Sequence, residues 1–401
     1  DAGGGRHRAG VGAMTLTVLG LEGAHLPAGG AEELAAAEVV VGTERQLNAV
    51  PVPAGARRLG IDELNGLDRD RHCVVLASGD PGFFGIVRSL RDRGLRPRVL
   101  AGRSSVARAF ALLGRSWDDV TVVSAHGRAL RPALNMCRSR RAVAVLTAPG
   151  AGAPEIAAGL VGWTRSLLVA EDLGGASERV GRYDGGPVAE PHLVLCLADE
   201  HAVPARGWIA GGELVPPGSG WALGEDEFSH RDGMITKSEV RALVLARLAP
   251  GPGRLVWDVG TGSGSVGVEC GRLGAAVVAV ERDAAQCARL VANARGHGVD
   301  VRLAQGSAPG ALDGLPDPDA VFVGGGGVGT VLACARVAPR VVVALTALDR
   351  VAPCRAALRD GGHTVDGVQL AASRLAELPD GTVRLAATNP VVVLWGVRGP
   401  R

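Results

Sequence analysis

The sequence predicts two α/β units joined by a linker, with largely parallel strands in each unit. Short apolar runs alternate with helix-like segments, a stretch rich in Gly and Pro interrupts them near residues 199–220, and a second α/β series follows. We divide the chain accordingly: residues 1–13 form an extension that we expect to be disordered, residues 14–203 a first unit, residues 204–220 a linker and residues 221–401 a second unit.

The strands of the first unit are predicted from seven apolar runs, each followed by Gly, Pro or a polar cluster. Continuous runs of Val, Leu and Ala are typical of strands that are buried on both faces. The predicted strands are Leu16–Leu19, Val39–Val41, Val74–Ala77, Val120–Val123, Ala142–Leu146, Leu167–Ala170 and His192–Leu197.

The second unit begins with a predicted helix over Ser238–Leu248, for which Thr236 or Ser238 is a plausible N-cap. Two further strand candidates at the tail, Gly367–Arg374 and Leu385–Val397, have no clear helix between them and suggest an antiparallel hairpin at a sheet edge. Between these ends the pattern predicts strands over Leu255–Val259, Val277–Glu281, Val299–Ala304, Ala320–Val323 and Arg340–Leu345, and helices over Ser265–Leu273, Ala284–Ala294 and Val328–Ala338.

The composition excludes several classes of protein. The chain is 47% hydrophobic and 21% charged, which is too apolar for a disordered chain. A net charge of +2 and an aromatic content of 3% disfavour nucleic acid as the main partner. The seven cysteines are widely spaced without a CxxC pair, so neither a disulfide framework nor a metal site is expected. We expect a cytoplasmic protein without a membrane span, because no apolar run approaches 18 residues.

The strongest chemical signal is a strand, glycine-rich turn and helix start over residues 255–269, followed by an acid, Glu281, at the end of the next strand. Glycines let the backbone pass close to a ligand, and Glu281 can accept hydrogen bonds from ribose hydroxyls, so the pattern indicates an adenosine-containing cofactor. The predicted cofactor-binding residues here are Asp258, Gly260, Thr261, Gly262, Ser263, Gly264 and Glu281.

Two registers of this turn predict different cofactors. Gly262–Gly267 matches GxGxxG and lies 19 residues before Glu281, so a dinucleotide is possible. In the other register, Asp258 precedes three alternating glycines, which resembles the S-adenosylmethionine (SAM) loop of class I methyltransferases. We favour SAM, because a dinucleotide site would more often have an apolar residue at position 258.

Neighbouring loops extend this prediction. Gly306, Ser307 and Ala308 follow a strand where a SAM site places residues around the adenine, and residues 226–241, including Thr236, could cover the cofactor. Asn389 in the last strand pair is a candidate for contact with substrate.

The first unit carries its own glycine and serine loops at strand ends, which together imply a second ligand site. Gly79, Asp80, Pro81 and Gly82 form the turn after one strand. The companion loops are Gly20–Gly23, Gly102–Ser105 and Ser124–Arg128.

These motifs resemble two enzyme families. GDPGFFGI (79–86), GRSS (102–105) and SAHGR (124–128) are similar to class III tetrapyrrole methylases. GMITKSEVRA (233–242), WDVGTGSGSVGVE (257–269) and PDAVFVGG (318–325) are similar to the class I methyltransferases of the same corrin pathway. Their fusion in this order resembles the precorrin-6Y C5,15-methyltransferase (decarboxylating) family. One departure is Gly20-Leu-Glu-Gly23, where tetrapyrrole methylases usually have a GxGPG-like turn.

The resemblance implies a tetrapyrrole methylase fold of two α/β subdomains followed by a Rossmann-like class I domain, with one SAM in each. It implies methylation of C5 by the first unit, and methylation of C15 with loss of carbon dioxide from the ring C acetate by the second, in cobalamin biosynthesis. A precorrin substrate and a homo-oligomer are expected. In the first unit the implied cofactor residues are Gly79, Asp80, Pro81, Gly82, Ser104 and Ser105.

The sequence offers candidates for acid–base chemistry and for substrate binding. Glu227, His230 and Lys237 are candidates for proton handling, because decarboxylation needs a proton donor. A polycarboxylate substrate suits bidentate Arg, so Arg128, Arg231 and Arg241 are substrate candidates beside Asn389.

The sequence is also compatible with three other functions. One is a nicotinamide-dependent oxidoreductase that uses Gly262–Gly267, and another is a non-catalytic module that binds SAM or a tetrapyrrole. A nucleic-acid methyltransferase is disfavoured by the near-neutral charge.

Overall fold

The computed structural model describes residues 15–66, 70–203, 209–211 and 220–399. The predicted extension of residues 1–13 and most of the predicted linker lie outside the described residues. We refer below to residues 15–203 as the N-terminal unit and to residues 220–399 as the C-terminal unit.

The N-terminal unit begins with a parallel five-stranded sheet whose apolar strands are buried by helices on both faces. Its strands are β1 (Leu16–Leu21), β2 (Val39–Val41), β3 (Arg57–Leu59), β4 (Cys73–Ser78) and β5 (Arg98–Leu100), and its helices are α1 (Gly30–Ala35), α2 (Glu44–Ala49) and α3 (Ile86–Asp92). Helix α4 (Ser105–Leu113) follows β5 and packs against the second sheet. The strand order is β3-β2-β4-β1-β5, which places β1 between β4 and β5.

A second, mixed sheet completes the N-terminal unit. Its elements are β6 (Thr121–Ser124), α5 (Leu130–Ser139), β7 (Ala142–Leu146), α6 (Ala153–Gly159), β8 (Ser166–Glu171), β9 (Arg179–Arg182) and β10 (His192–Leu197). The strand order is β6-β7-β10-β8-β9, in which the fully buried β10 runs antiparallel to both β7 and β8. The N-terminal unit therefore consists of two α/β subdomains.

The C-terminal unit is built on a seven-stranded sheet. Its helices are α7 (Ser238–Leu248), α8 (Ser265–Arg272), α9 (Ala284–Gly296), α10 (Val328–Val337) and α11 (Val351–Asp360). The strands are β11 (Leu255–Val259), β12 (Ala276–Glu281), β13 (Arg302–Gln305), β14 (Ala320–Val323), β15 (Arg340–Leu345), β16 (Thr364–Leu370), β17 (Ser373–Glu377), β18 (Val383–Ala387) and β19 (Val391–Val397).

The strand order β13-β12-β11-β14-β15-β19-β16 reverses direction beside β11. Strands β11 to β15 are parallel, so their carboxyl ends meet at one edge, and a crevice forms there beside the first strand. Strand β19 is antiparallel to β15 and β16, while β17 and β18 form a separate hairpin.

The fold class and most buried strands agree with the sequence predictions, and the tail differs. The sequence predicted two strands in the tail, but the structure has four, β16 to β19. The antiparallel pair at the sheet edge is β16 with β19. Strand β13 begins at Arg302 rather than at Val299. Helix α11 and the short strands β3, β5 and β9 were not predicted. The N-cap position of α7 is Lys237, not Thr236 or Ser238.

Candidate active sites at the carboxyl ends of the strands

The glycine-rich turn after β11 is folded so tightly that side chains are excluded from parts of it. Gly260 has φ +68, and a Cβ on it would lie 2.7 Å from the backbone of Gly325 in the loop after β14. Gly262 also has a positive φ, +58, but no atom lies within 4 Å of the position of its Cβ. The turn therefore presents bare backbone to open space at Gly262, where a ligand can approach.

Asp258 holds this turn from behind. Its side chain is fully buried in β11, and its Oδ2 accepts hydrogen bonds from the Thr261 hydroxyl at 2.6 Å and from the Gly267 N–H in α8 at 2.7 Å. Burial raises the pKa of Asp258 to about 6. The carboxylate therefore shapes the turn, and its direct contact with the cofactor stays a prediction.

Glu281 lies at the carboxyl end of β12 and joins the turn to the next loop. Its Oε2 accepts from the Gly262 N–H at 2.9 Å, and its Oε1 accepts from the N–H groups of Arg282 and Asp283, each at 2.9 Å. Each carboxylate oxygen has more than one lone pair, so Glu281 can still accept a hydrogen bond from a ribose hydroxyl.

The other predicted residues of this crevice lie on adjacent loops. Gly306 donates its N–H to the Glu281 carbonyl at 2.8 Å, which brings Ser307 and Ala308 beside the turn. Ser263 is 2% exposed, and its carbonyl accepts from Asn293, so it supports the turn from the protein side. Gly264 is the N-cap of α8. The structure thus brings the predicted loops together at one edge of the sheet.

Residues 226–241, which were predicted to cover the cofactor and are called the covering segment below, are fixed by a buried ion pair. Arg241 and Glu269 are both fully buried, with Nε of Arg241 3.1 Å from Oε1 of Glu269. Arg241 also donates to the carbonyls of Thr236 and Leu223, while Glu269 accepts from the Leu223 N–H at 2.7 Å. Because all three of its guanidinium nitrogens face protein groups, the expectation that Arg241 binds substrate is corrected: it anchors the covering segment.

The candidates for proton handling lie on this covering segment. Glu227 is exposed, and its carbonyl accepts from His297 at 2.9 Å. His230 is half-buried, and its Nδ1 is enclosed without a hydrogen-bond partner in the protein. Lys237 donates from Nζ to the Gly233 carbonyl at 3.3 Å. Arg231 is about half exposed and lies 3.7 Å from the Asp283 carboxylate.

An ion cluster that the sequence did not predict ties the β17–β18 hairpin to the covering segment. Arg374 in β17 binds the carboxylates of Glu225 and Glu239, with Nη2 2.7 Å from Oε2 of Glu239. The hydrogen bonds from Arg374 lower the pKa of Glu225 to about 2. No local motif predicts a contact between groups up to 149 residues apart. Asn389, the predicted substrate contact, is exposed between β18 and β19.

In the N-terminal unit, three glycines meet where β1, β4 and β5 end. A Cβ on Gly20 would lie 2.2 Å from the Gly79 carbonyl oxygen and 2.3 Å from the Gly102 nitrogen. Pro81 packs against the same point, 2.9 Å from that Cβ position. The glycines of the three loops are therefore required for the backbones to approach one another.

A cavity of about 420 Å³ lies between the two subdomains beside these glycines. Of the predicted cofactor residues, Gly79 and Ser105 line it. Glu22 and Arg103 also line it and lie in the predicted loops Gly20–Gly23 and Gly102–Ser105. Further lining residues that sequence reasoning missed include Arg45, Arg108, Asp172 and His192.

The remaining predicted residues of the N-terminal unit shape its loops. Asp80 accepts from the Gly82 N–H at 2.8 Å, which closes its own turn. The Ser104 hydroxyl accepts from the Ala107 N–H at 3.1 Å and caps α4. The exposed guanidinium of Arg128 lies 5.8 Å from the ring centre of Phe84, which is itself 47% exposed.

The described residues contain neither a metal-binding cluster nor a membrane-spanning helix. Within the described ranges, no group of three or more His, Cys, Asp or Glu side chains is placed to hold a metal ion. None of the helices in the described part of the chain is both long and apolar enough to cross a bilayer.

The strand order of the C-terminal unit, its glycine turn and the acid after β12 define a methyltransferase of the SAM-dependent class. Comparison with family models agrees for both units. Residues 226–397 match the precorrin methyltransferase domain, and residues 20–186 match the tetrapyrrole (corrin/porphyrin) methylases.

Curated relatives align across parts of both units, and a solved structure aligns with less than half of the chain. A precorrin-6Y C(5,15)-methyltransferase [decarboxylating] from Sinorhizobium sp is 40% identical over 63% of this chain and 62% of its own length. The protein of that name from Mycobacterium tuberculosis H37Rv is 36% identical over 73% of this chain and 75% of its own length. A Geobacter metallireducens structure titled precorrin-6y C5,15-methyltransferase is 29% identical, with a TM-score of 0.42, over 44% of this chain and 97% of its own. The chain belongs to the precorrin-6Y C5,15-methyltransferase (decarboxylating) family.

Proposed function

We propose that this protein methylates a precorrin at C5 and C15 with SAM and removes carbon dioxide from the acetate of ring C, in the formation of the corrin ring of cobalamin. One observation carries the proposal: the Asp258-shaped glycine turn facing Glu281 occurs in a chain whose other unit matches the tetrapyrrole methylases. We assign C5 methylation to the N-terminal unit, and C15 methylation with decarboxylation to the C-terminal unit.

The residues of the C-terminal crevice fit SAM better than a dinucleotide. A dinucleotide would place its pyrophosphate at the start of α8, but there the Asp258 carboxylate already accepts from the Gly267 N–H. A pKa of about 6 keeps that carboxylate mostly negative at neutral pH, which repels phosphate and favours a cation. The open backbone at Gly262 and the Glu281 carboxylate suit the adenosine moiety.

SAM, when bound, supplies an electrophilic methyl group. The protein must mainly align donor and acceptor carbons and exclude water, since the electron-rich macrocycle is the nucleophile. Decarboxylation transfers an electron pair to the ring system and requires a proton from a nearby group. We propose His230 for this proton, because its Nδ1 is enclosed without a protein partner on the covering segment. Lys237 and Glu227 are the alternatives on the same segment.

The N-terminal cavity is proposed as the second SAM site and as part of the C5 methylation site. Gly79 and Ser105 line it at the strand ends, where cofactors bind in α/β folds. We propose Arg45 and Arg103 as partners for precorrin carboxylates, because both line the cavity. Arg108 is less available, since it already pairs with Glu22 and Glu178. Arg128 and Arg231 remain proposed substrate contacts at the two sites, with Asn389.

We also propose a homo-oligomer that assembles through the β17–β18 hairpin. Leu375, Val383 and Leu385 on this hairpin are 77%, 55% and 67% exposed, which is unusual for a cluster of apolar side chains.

Because all seven cysteines are buried free thiols, a reducing compartment such as the cytoplasm is the proposed location.

The proposal is tested by titrating the full-length protein with SAM and with NADPH in a calorimeter, then analysing the reaction with a precorrin by mass spectrometry. We expect two SAM molecules bound per chain, and a product that has gained two methyl groups and lost one carbon dioxide. Tight NADPH binding without SAM binding would instead indicate an oxidoreductase. Binding of SAM without turnover of any precorrin would indicate a non-catalytic module.

A further inference from the structure

The two units contact each other through the amino edge of the C-terminal sheet. Asn135 of α5 donates to the Gly253 carbonyl, which precedes β11, at 3.0 Å. Arg131 pairs with Asp319, which precedes β14, at 2.9 Å. Arg165 pairs with Asp300, which precedes β13. The cofactor loops of the C-terminal unit leave the opposite ends of these same strands.

Trp163, which belongs to the N-terminal unit, completes this contact. It is 8% exposed and belongs to an apolar cluster formed mainly by β11, β12, β14, β15, α10 and α11 of the C-terminal unit. The guanidinium groups of Arg138 and Arg302 lie 4.6 and 4.9 Å from its ring centre. A side chain buried in the core of the other unit, with cations stacked on it, indicates a firm contact rather than a passing one.

The cavity of the N-terminal unit is lined from other loops. The contact uses Trp163 and Arg165, which lead into β8, and helix α5, which leads into β7. The cavity is lined by Leu146 and Thr147, where β7 ends, and by Ala170, Asp172 and Leu173, where β8 ends. The contact with the C-terminal unit is therefore at the beginnings of β7 and β8, whereas the cavity is at their carboxyl ends.

We propose, on the basis of the proposed function, that the two active sites share no passage and that the singly methylated intermediate is released to solvent between the two methylations. The sheets that separate the two sites are four to six residues deep. At about 3.3 Å per residue, each sheet is roughly 13–20 Å of packed strand. The bound macrocycle cannot cross this core.

The cleft between the units does not supply a route. It has a volume of about 340 Å³ and is lined by Arg140, Arg141 and Arg165 on one side and by residues 290–301 on the other. Residues 299–301 lead into the amino end of β13, whereas Gly306 at the cofactor crevice follows its carboxyl end. The cleft therefore lies at the edge of the sheet away from the C-terminal site.

The test uses two full-length variants, each blocked at one site. Gly262→Val fills the open space at the C-terminal turn, and Ser105→Trp fills the N-terminal cavity. Each variant should bind one SAM rather than two by calorimetry, which confirms that the other unit is intact. The two variants are placed on opposite sides of a dialysis membrane that passes a precorrin but retains the 40.8 kDa chain.

If the intermediate is released, the doubly methylated and decarboxylated product forms although no single chain carries two working sites. A singly methylated end product across the membrane, together with the complete product from wild type, overturns the proposal. Complete product in a direct mixture but not across the membrane also overturns it, because transfer would then require contact between chains. If wild type methylates no precorrin, the proposed function itself has failed, so the two failures are distinguishable.

Discussion

Asp258 is a buried carboxylate whose hydrogen bonds define the cofactor turn. Replacing it with Ala leaves the Gly267 N–H without an acceptor inside the protein, which costs about 1–3 kcal/mol. We expect Asp258→Ala to lower both the melting temperature and the affinity for SAM, measured by calorimetry. Asp258→Asn is the matched control, because its amide oxygen can still accept from Gly267. Equal losses in both variants would contradict this role.

Burial also makes the stability contributed by Asp258 depend on pH. Its pKa in the folded protein, about 6, is above the ordinary Asp value of 3.8. The folded state therefore holds the proton more tightly, so this group favours folding below about pH 4 and loses that contribution as pH rises to about 6. We expect Asp258→Asn to abolish this loss of stability between about pH 4 and 6, measured as the free energy of unfolding at each pH. An unchanged slope between pH 4 and 6 would show that Asp258 titrates normally.

Gly262 tests whether the open backbone of the turn receives the cofactor. An Ala at φ +58 costs roughly 1–2 kcal/mol of strain, but it meets no neighbouring atom. Gly94, after α3, has φ +76 and equally open surroundings, so Gly94→Ala carries similar strain far from the turn. We expect both variants to lose similar stability and only Gly262→Ala to lose SAM affinity at the C-terminal site. Full retention of two SAM molecules by Gly262→Ala would rule out close contact there.

At the scale of elements, the β17–β18 hairpin depends on one arginine for its attachment to the covering segment. Arg374→Gln removes the charge that binds Glu225 and Glu239. We expect faster hydrogen exchange in the hairpin and slower C15 methylation, with SAM affinity little changed, because the glycine turn is separate. Arg384→Gln, on the exposed neighbouring strand β18, is the control. If both variants behave alike, the ion cluster does not position the hairpin.

The elements that sequence reasoning missed share a physical cause. Strands β3, β5 and β9 are three or four residues long, and most of their residues are Arg or partly exposed, so they carry no apolar run. They are strands because a neighbour offers backbone hydrogen bonds at the sheet edge. The buried strands β2, β7, β10, β11, β14 and β15 were predicted with their observed ends, because continuous burial leaves a continuous apolar pattern.

The candidate sites likewise contain features that the local sequence predicts and features that it does not. The glycine turn and Glu281 are close in sequence and follow local chemistry, so they were predicted. The Arg374 cluster and the lining of the N-terminal cavity join loops that are distant in the chain, and Arg241 was mistaken for a substrate ligand because its buried partner Glu269 is 28 residues away. Burial and pairing are properties of the folded molecule, and an isolated arginine in a sequence does not reveal them.

At the scale of the whole molecule, the two units form one body whose sites point away from the contact. Substitution of Trp163 can measure how strongly the two units stabilise each other, because this residue lies in the N-terminal unit but is buried in the core of the C-terminal unit. Trp163→Ala removes a buried indole at a cost of about 3–5 kcal/mol. We expect hydrogen exchange to accelerate in β11, β12 and β14, although these strands lie about 90 to 160 residues away in sequence. Trp117→Ala is the matched control, since Trp117 is 42% exposed on the N-terminal unit. Acceleration confined to the N-terminal unit would contradict the contact, whereas acceleration in the C-terminal strands would show that the N-terminal unit stabilises the core of the C-terminal unit through Trp163.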